Sequence, residues 1–415
     1  MRVLWVVNLL VPRGEAVGDP ARATFGGWVS TMLAQLAAQP DIEVAVALRS
    51  PGGVMERREL NGIVHYFIPP GRRDEMDITE ADCRAVLADF QPDLLHAEGT
   101  EMAYTRRFLG AWPGPNIVSL QGVLHGYEPY EYGGLHIDEL LTSMRPARMV
   151  VGAALAASKR LRFRPRLKLE AQSIGLAKNI IGRTEWDRAH AFALNPDAPY
   201  FTVHRILRPV FYESGWSLEG AERHSIFIGN AAQARKGAHF ALRAVAQLKR
   251  HYPDIRLYVA GLAPEELGGL KNRIGYPAYL GGLIRELGIA DRVTFTGVLS
   301  AAQMAERMRK SHVFVLPSLI ENSPNSLGEA MILGAPVVSA YTGGAPDMAE
   351  PNREALFYRA DDAALLAWKL KRIFESDALA QSLSAAARKR ALKTHDPADN
   401  RDRLLAAYRA VLEAT

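Results

Sequence analysis

The sequence predicts an α/β protein of two domains, each built around a parallel sheet. Three observations lead there. Short β-branched runs alternate with helical apolar patterns over the whole length, the series begins twice, and a Pro/Gly/Ser-bearing stretch at 208–220 separates the two. At 415 residues, 48% of them hydrophobic and 23% charged, the chain can fill two cores.

The first series reads as strands at 3–7, 42–48, 94–96 and 117–120, completed by shorter ones at 179–181 and 200–203. Between the first two lies a helix with Trp28, Val29, Met32, Leu33 and Leu36 on one face. The expected N-terminal domain is 1–207, followed by a linker at 208–224. The second series starts at Ser225 and continues through strands at 256–260, 293–295, 313–316 and 337–339, for a domain over 225–394. Ser300 and Gln303 have the spacing of a capping box. In the tail, 395–415, Leu404, Leu405, Tyr408, Val411 and Leu412 share a helix face, which is expected to return to the N-terminal domain.

Composition narrows the function classes. The single cysteine, Cys83, excludes an internal disulfide and a cysteine-rich zinc site, and it reads as a small helix residue. A formal charge of +5 suits an anionic partner without choosing among nucleotide sugar, lipid and nucleic acid. Because the charge is spread along the chain and no nucleic-acid motif is present, nucleic acid is the least favoured. No stretch approaches the roughly 20 apolar residues of a membrane span, and the apolar start runs into a Gly/Pro loop rather than a cleavage site. A cytoplasmic protein is expected. Lys159, Arg160, Arg162, Arg164, Arg166 and Lys168 interleave with apolar residues and suit a peripheral contact with anionic lipid at the inner face of a membrane, or simply a solvated connector. Pro165 is expected to interrupt any long helix there.

The most informative segment runs from Val313 to Gly344 and reads strand, loop, helix, strand, loop. Asn325 or Ser326 can cap a helix that runs to about Leu333 and stops at Gly334 and Pro336. The free N–H groups near Asn325, Ser326 and Leu327 then point at the loop, where they suit a phosphate. Glu321 precedes this helix and Glu329 falls in its expected first turn. The two carboxylates flank the phosphate position, one able to accept from sugar hydroxyls and the other from ribose. A second segment, Phe227-Ile-Gly229-Asn230-Ala-Ala-Gln-Ala-Arg235-Lys236-Gly237, is a strand-to-helix loop carrying two cations.

Together these segments resemble the E-x7-E region and the phosphate loop of the retaining GT-B glycosyltransferases, the large group called family 4, and the resemblance spans nearly the whole chain. It implies two Rossmann-like domains facing across a cleft. It also implies a metal-independent enzyme without a cofactor, moving a sugar from a nucleoside diphosphate to a saccharide or lipid-linked acceptor. By the resemblance, Glu321 contacts the donor sugar, Glu329 the nucleotide ribose, and Lys236 and the amides of Asn325 and Ser326 the diphosphate. Asn230 stands where the family has an arginine, and Arg235 is the candidate to replace its charge. The backbone of Gly297 and Val298 is expected at the base. Gly343-Gly344-Ala-Pro-Asp347 matches a family turn and reads as structural. Gly27, in Phe25-Gly26-Gly27-Trp28, is expected against the diphosphate and acceptor. On the acceptor side Gln121 replaces a common histidine, His125 lies four residues on as a possible substitute, and Glu98 follows His96 at a strand end. A GT-B-shaped sugar-nucleotide epimerase and a catalytically silent sugar-nucleotide-binding protein are the alternatives.

Overall fold

The computed structural model describes residues 1–10, 27–51, 53–71, 77–136, 139–140, 146–266 and 275–414. The chain forms two compact units, one of Met1–Gly126, Phe163–Arg208 and His395–Thr415, the other of Tyr127–Arg162 and Pro209–Thr394. The segment Tyr127–Arg162 groups with the second unit although it lies inside 1–207.

In the first unit the strands are β1 (Arg2–Leu10), β2 (Glu43–Arg49), β3 (Glu56–Leu60), β4 (Ile63–Ile68), β5 (Leu94–Glu98), β6 (Asn116–Ser119), β7 (Ile180–Gly182) and β8 (Tyr200–Thr202). They form one sheet in the order β3-β4-β2-β1-β5-β6-β7-β8, parallel except for the β3–β4 hairpin. That hairpin was not expected. Asn61 and Gly62 turn it with φ of 53° and 73°, the left-handed pair that a tight hairpin needs. Its outer strand, Glu-Arg-Arg-Glu-Leu, is charged in the way edge strands resist further pairing.

The helices between are α1 (Gly27–Ala37), α2 (Glu80–Phe90), α3 (Ala103–Ala111), α4 (Leu124–Tyr127), α5 (Pro146–Gly175), of which the part up to Arg162 groups with the second unit, and α6 (Glu185–Leu194). Cys83 is buried in α2, and burial pushes its thiol up to about 12, so it packs as a small apolar residue. The expected break at Pro165 does not occur, since α5 runs through it. The ring deprives the carbonyl of Leu161 of its helical donor, but Leu161 is 66% exposed and water can take the donor's place.

The second unit carries β9 (Glu222–Ile228), β10 (Arg256–Val259), β11 (Val293–Phe295), β12 (Ser311–Leu316), β13 (Val337–Tyr341) and β14 (Leu356–Arg359). These form a wholly parallel sheet in the order β11-β10-β9-β12-β13-β14. Its helices are α7 (Ala238–Leu248), α8 (Gly275–Glu286), α9 (Ala301–Arg309), α10 (Asn325–Leu333), α11 (Ala345–Met348), α12 (Ala363–Phe374) and α13 (Asp377–Thr394). Helix α9 opens with the expected capping box of Ser300 and Gln303. Part of the expected linker belongs to this unit, where the Trp216 N–H donates to Leu333 at 2.7 Å and its indole to Ser311 at 2.8 Å.

The last helix, α14 (Pro397–Glu413), packs on the first unit, with Leu404, Leu405, Tyr408 and Val411 joining the core around Val3, Trp5 and Val7. The buried hydroxyl of Tyr408 accepts from the Trp5 indole at 3.0 Å and meets His96 Nδ1 at 2.5 Å. Burial lowers His96 to about 3 and His395 to about 4 in this unit, and His239 to about 3 and His312 to about 4 in the second. The sign follows from linkage. Between the ordinary histidine value and these lowered ones the unfolded chain binds more protons, so stability is full above about pH 6.5 and falls as pH drops toward 4. The melting temperature is expected to fall steadily from pH 6.5 to 4.5, and His96→Gln to flatten that slope in a pH series of thermal melts.

Candidate active site

In the second sheet the strand order reverses between β9 and β12, so the loops leaving their carboxyl ends border the crevice where open α/β sheets bind ligands. Those loops are 229–237 and 317–324. They are fastened to each other. Gly237, at φ +71°, ends a 3-10 turn (Ala234–Lys236) and opens α7, and a Cβ there would overlap the carbonyl oxygen of Pro317. The Leu319 N–H donates to the Arg235 carbonyl at 2.8 Å. This fastening brings Lys236 Nζ to 2.5 Å from Glu321 Oε1, with Glu321 only 7% exposed. A carboxylate so far removed from water needs that cation.

The backbone of Glu321 is held from behind by the glycine pair. Gly344 N–H donates to the Glu321 carbonyl at 3.0 Å, and a Cβ on Gly343, at φ +49°, would overlap that oxygen. Thr342 Oγ1 donates to the Leu319 carbonyl. The turn at 343–347 is therefore a backing for the Glu321 loop.

Helix α10 begins one or two residues earlier than expected and is capped differently. Pro324 occupies the N-cap, where its φ of −69° and extended ψ of 118° suit the position, and its ring has no polar atom with which to cap. Asn325 and Ser326 are the first two helical residues rather than caps. The Leu327 N–H already donates to the Pro324 carbonyl at 3.0 Å, which removes it from the expected set of free donors. Among the described residues the N–H groups of Asn325 and Ser326 meet no acceptor. They face the end of β9, where a Cβ on Gly229 would lie 3.6 Å from that of Ser326. Since the helix starts at Asn325, Glu329 falls in its second turn rather than its first, and it is 3% exposed.

The other donor-side candidates divide. Asn230 Oδ1 accepts the Ala232 N–H at 2.7 Å and shapes its own loop. Arg235 turns from Lys236, its guanidinium 5.4 Å from the Tyr127 ring centroid and 3.8 Å from Glu131 Oε2. The N–H and carbonyl of Gly297 are both engaged with Gly261, at 3.1 and 2.9 Å, so its N–H cannot read a base as expected. Val298 next to it is 63% exposed.

In the first unit the order reverses between β1 and β5. The loop after β1, with Phe25 and Gly26, lies outside the described residues, and Gly27 opens α1. Glu98 ends β5 but is 4% exposed and paired with Arg205 at 2.9 Å. Gln121 is half-buried and donates to the Glu98 carbonyl at 3.4 Å. His96 is structural, bridging Tyr408 and Ser119. His125 is held in place, its Nδ1 meeting Glu170 Oε2 at 2.7 Å. Glu170, fully buried, also accepts the N–H groups of Leu124 and His125 at 2.7 and 3.0 Å and so caps α4. Nothing local in the sequence marks Glu170, which is 45 residues from its partner. Of the cation-rich stretch, Arg164 and Lys168 are exposed on α5, while the side chains of Lys159, Arg160 and Arg162 lie outside the described residues.

Residues 216–390 match the family described as Glycosyl transferases group 1. The chain is 25% identical to D-inositol 3-phosphate glycosyltransferase 1 of Catenulispora acidiphila over 85% of its own length and 82% of that protein's. It is 32% identical to D-inositol 3-phosphate glycosyltransferase of Mycobacterium marinum, over 47% of this chain and 40% of that one. Among solved structures, sucrose-phosphate synthase from Thermosynechococcus elongatus superposes over 100% of both chains with a TM-score of 0.74 at 17% identity. HepE of Anabaena in complex with UDP-glucose gives 0.67 at 16% identity, over 99% of this chain and 100% of that one. The fold is GT-B.

Proposed function

We propose that this glycosyltransferase of group 1 moves a sugar, with retention at the anomeric carbon and without a metal, from a nucleoside-diphosphate sugar to a saccharide or lipid-linked acceptor. The setting we assign is cytoplasmic synthesis of cell-surface polysaccharide or glycoconjugate. One observation carries the reading: Lys236 and Glu321 are paired at the head of a helix whose first two N–H groups are open. An arriving diphosphate competes with Glu321 for the ammonium and takes the N–H groups of Asn325 and Ser326. Glu321 is then released to accept from sugar hydroxyls. As the bond from the anomeric carbon to the diphosphate oxygen breaks, the acceptor oxygen bonds to the same face and its proton passes to a phosphate oxygen. Lys236 and the helix terminus stabilise the charge left on the diphosphate. Glu329 is assigned to the ribose and Val298 to the base. On the acceptor side, Gln121 and His125 are the groups proposed to bind hydroxyls, and the exposed Arg164 and Lys168 support a peripheral contact with anionic lipid.

HepE binds UDP-glucose, so uridine donors are the first to screen, followed by guanosine and adenosine ones. A matching donor at a hundred times its Kd is expected to stabilise the native protein by about 2.7 kcal/mol, read as a rise in melting temperature. Glu321→Ala should weaken that rise. Slow donor hydrolysis should persist in excess chelator, and the product's anomeric configuration by NMR should match the donor's. The reading fails if no nucleotide sugar binds. Epimerisation without acceptor identifies an epimerase, and binding without turnover on any acceptor identifies a silent binding protein.

A further inference from the structure

The second unit contains a segment from the first half of the chain, and that segment lies on both donor loops. Tyr127 Oη accepts the N–H of Asn322, the residue after Glu321, at 3.2 Å. The ring of Tyr127 carries the guanidinium of Arg235 at 5.4 Å from its centroid, and Glu131 flanks the same guanidinium at 3.8 Å. Further along, Gly133 has φ +67° and lies so close to the Ala234 carbonyl that any Cβ would overlap it. A Cβ on Gly134 would come within 3.3 Å of Leu319. The far end is pinned to α7, where buried His239 meets the Gly133 carbonyl through Nε2 at 3.2 Å and Tyr276 Oη through Nδ1 at 2.9 Å. A carbonyl only accepts, so Nε2 carries the proton and the tyrosine hydroxyl donates to Nδ1.

The contacts cluster around the donor-site groups: Asn322 is beside Glu321 and Leu319 two residues before it, while Arg235 is beside Lys236, Ala234 two residues before it and His239 three after it. We propose that residues 127–134 are part of the donor site, and that Tyr127 is a positioning residue that sets the Glu321 carboxylate through the Asn322 N–H. The peptide joining Glu321 to Asn322 is held at both of its polar groups. Gly343 and Gly344 hold its carbonyl on one side, and Tyr127 holds its N–H on the other. With this one peptide tied at both its carbonyl and its N–H, it cannot rotate, and the carboxylate attached just before it keeps its place when a diphosphate draws Lys236 away. This rests on the donor-site reading above, and its role is orientation rather than contact with the reacting atoms.

The test uses the whole chain as wild type, Tyr127→Phe and Tyr127→Ala. Tyr127→Phe keeps the ring under Arg235 and removes the hydroxyl that accepts the Asn322 N–H. Hydrogen exchange of the peptide covering Asn322 in the ligand-free protein is expected to speed up in Tyr127→Phe, with no change at β9 or β12. With the matched donor, kcat should fall about 5- to 20-fold while the donor KM changes less than about twofold, because the lost contact orients a group rather than binding substrate. Tyr127→Ala should fall further and also raise KM. A purely packing role would be met by phenylalanine and leave kcat at the wild-type value. Unchanged exchange at Asn322, or an unchanged kcat in Tyr127→Phe, overturns the inference while leaving the donor reading standing. A wild type that binds no nucleotide sugar overturns the donor reading, and the catalytic half of the inference with it.

Discussion

Lys236→Ala is expected to lower turnover of the matched donor by about 10²- to 10³-fold, the usual effect of deleting a charge aimed at a leaving group. The same change should lower stability. It strands Glu321, 7% exposed, without the cation 2.5 Å away. Removing one partner of a fully buried pair costs about 3–5 kcal/mol. Here the lysine side chain is 24% exposed, so water reaches the position it vacates and the cost should be nearer 1–2 kcal/mol. The two effects separate in a double-mutant cycle. Lys236→Ala/Glu321→Ala should be more stable than the sum of the single losses, since no stranded carboxylate remains, yet no more active than either single variant. Lys236→Arg should restore part of the stability and little of the rate, because a planar guanidinium cannot occupy a point-charge position 2.5 Å from Glu321. Additive stabilities would mean that the pair is not coupled and that the site needs another account.

The central part of this site could be read from the chain alone because its signals are local. A strand of β-branched residues, a Pro-bearing loop, a helix stopped by Gly334 and a second strand occupy about thirty consecutive residues and leave one arrangement for the helix end. The tail helix was legible for the same reason, since the apolar face with Leu404 and Tyr408 needs a core to cover. What was read amiss lies at the scale of single residues. A proline takes the N-cap expected of asparagine or serine, which starts the helix one or two residues earlier, moves Glu329 past its first turn and removes Leu327 from the free donors. The hydrogen bond that Pro165 cannot donate predicts a break, but the residue losing that partner, Leu161, is exposed, and water can replace the bond. The Asn61-Gly62 turn carries its own signal, but the charged strand before it lacks the usual alternation.

The features that could not be read are those made by residues far apart. Glu170 looks like one more charge in a helix of basic residues, and only folding brings it beneath His125. Tyr127 stands 195 residues from the amide it receives. Neither position has a local pattern, because the constraint is on where an atom lies and not on how a segment folds. Single-residue readings of Gly297 failed similarly, since its partner Gly261 sits across two strands whose pairing the sequence does not announce.

Gly343 tests whether the backing of the Glu321 loop governs chemistry as well as stability. Gly343→Ala introduces two penalties, a side chain at φ +49° and an overlap with the Glu321 carbonyl oxygen. The first costs about 1–2 kcal/mol wherever it occurs. Gly62→Ala isolates it, since Gly62 has φ +73° with nothing within 4 Å of an added Cβ, and it turns a hairpin far along the chain from any candidate residue. Gly62→Ala should therefore lower the melting temperature modestly and leave kcat unchanged. The second penalty has no such outlet, because the atom in the way is backbone. Either the 343–344 turn swings out, breaking the Gly344 to Glu321 hydrogen bond, or Glu321 moves and its carboxylate leaves Lys236. Both routes displace a positioned group by about an ångström, a shift that commonly costs about 10²-fold in rate. Gly343→Ala should thus lose more stability than Gly62→Ala and about two orders of magnitude in kcat, measured on protein shown by circular dichroism to be folded. Equal losses of stability with full activity in both would mean that the turn can yield without disturbing Glu321, and that the carboxylate is held from elsewhere.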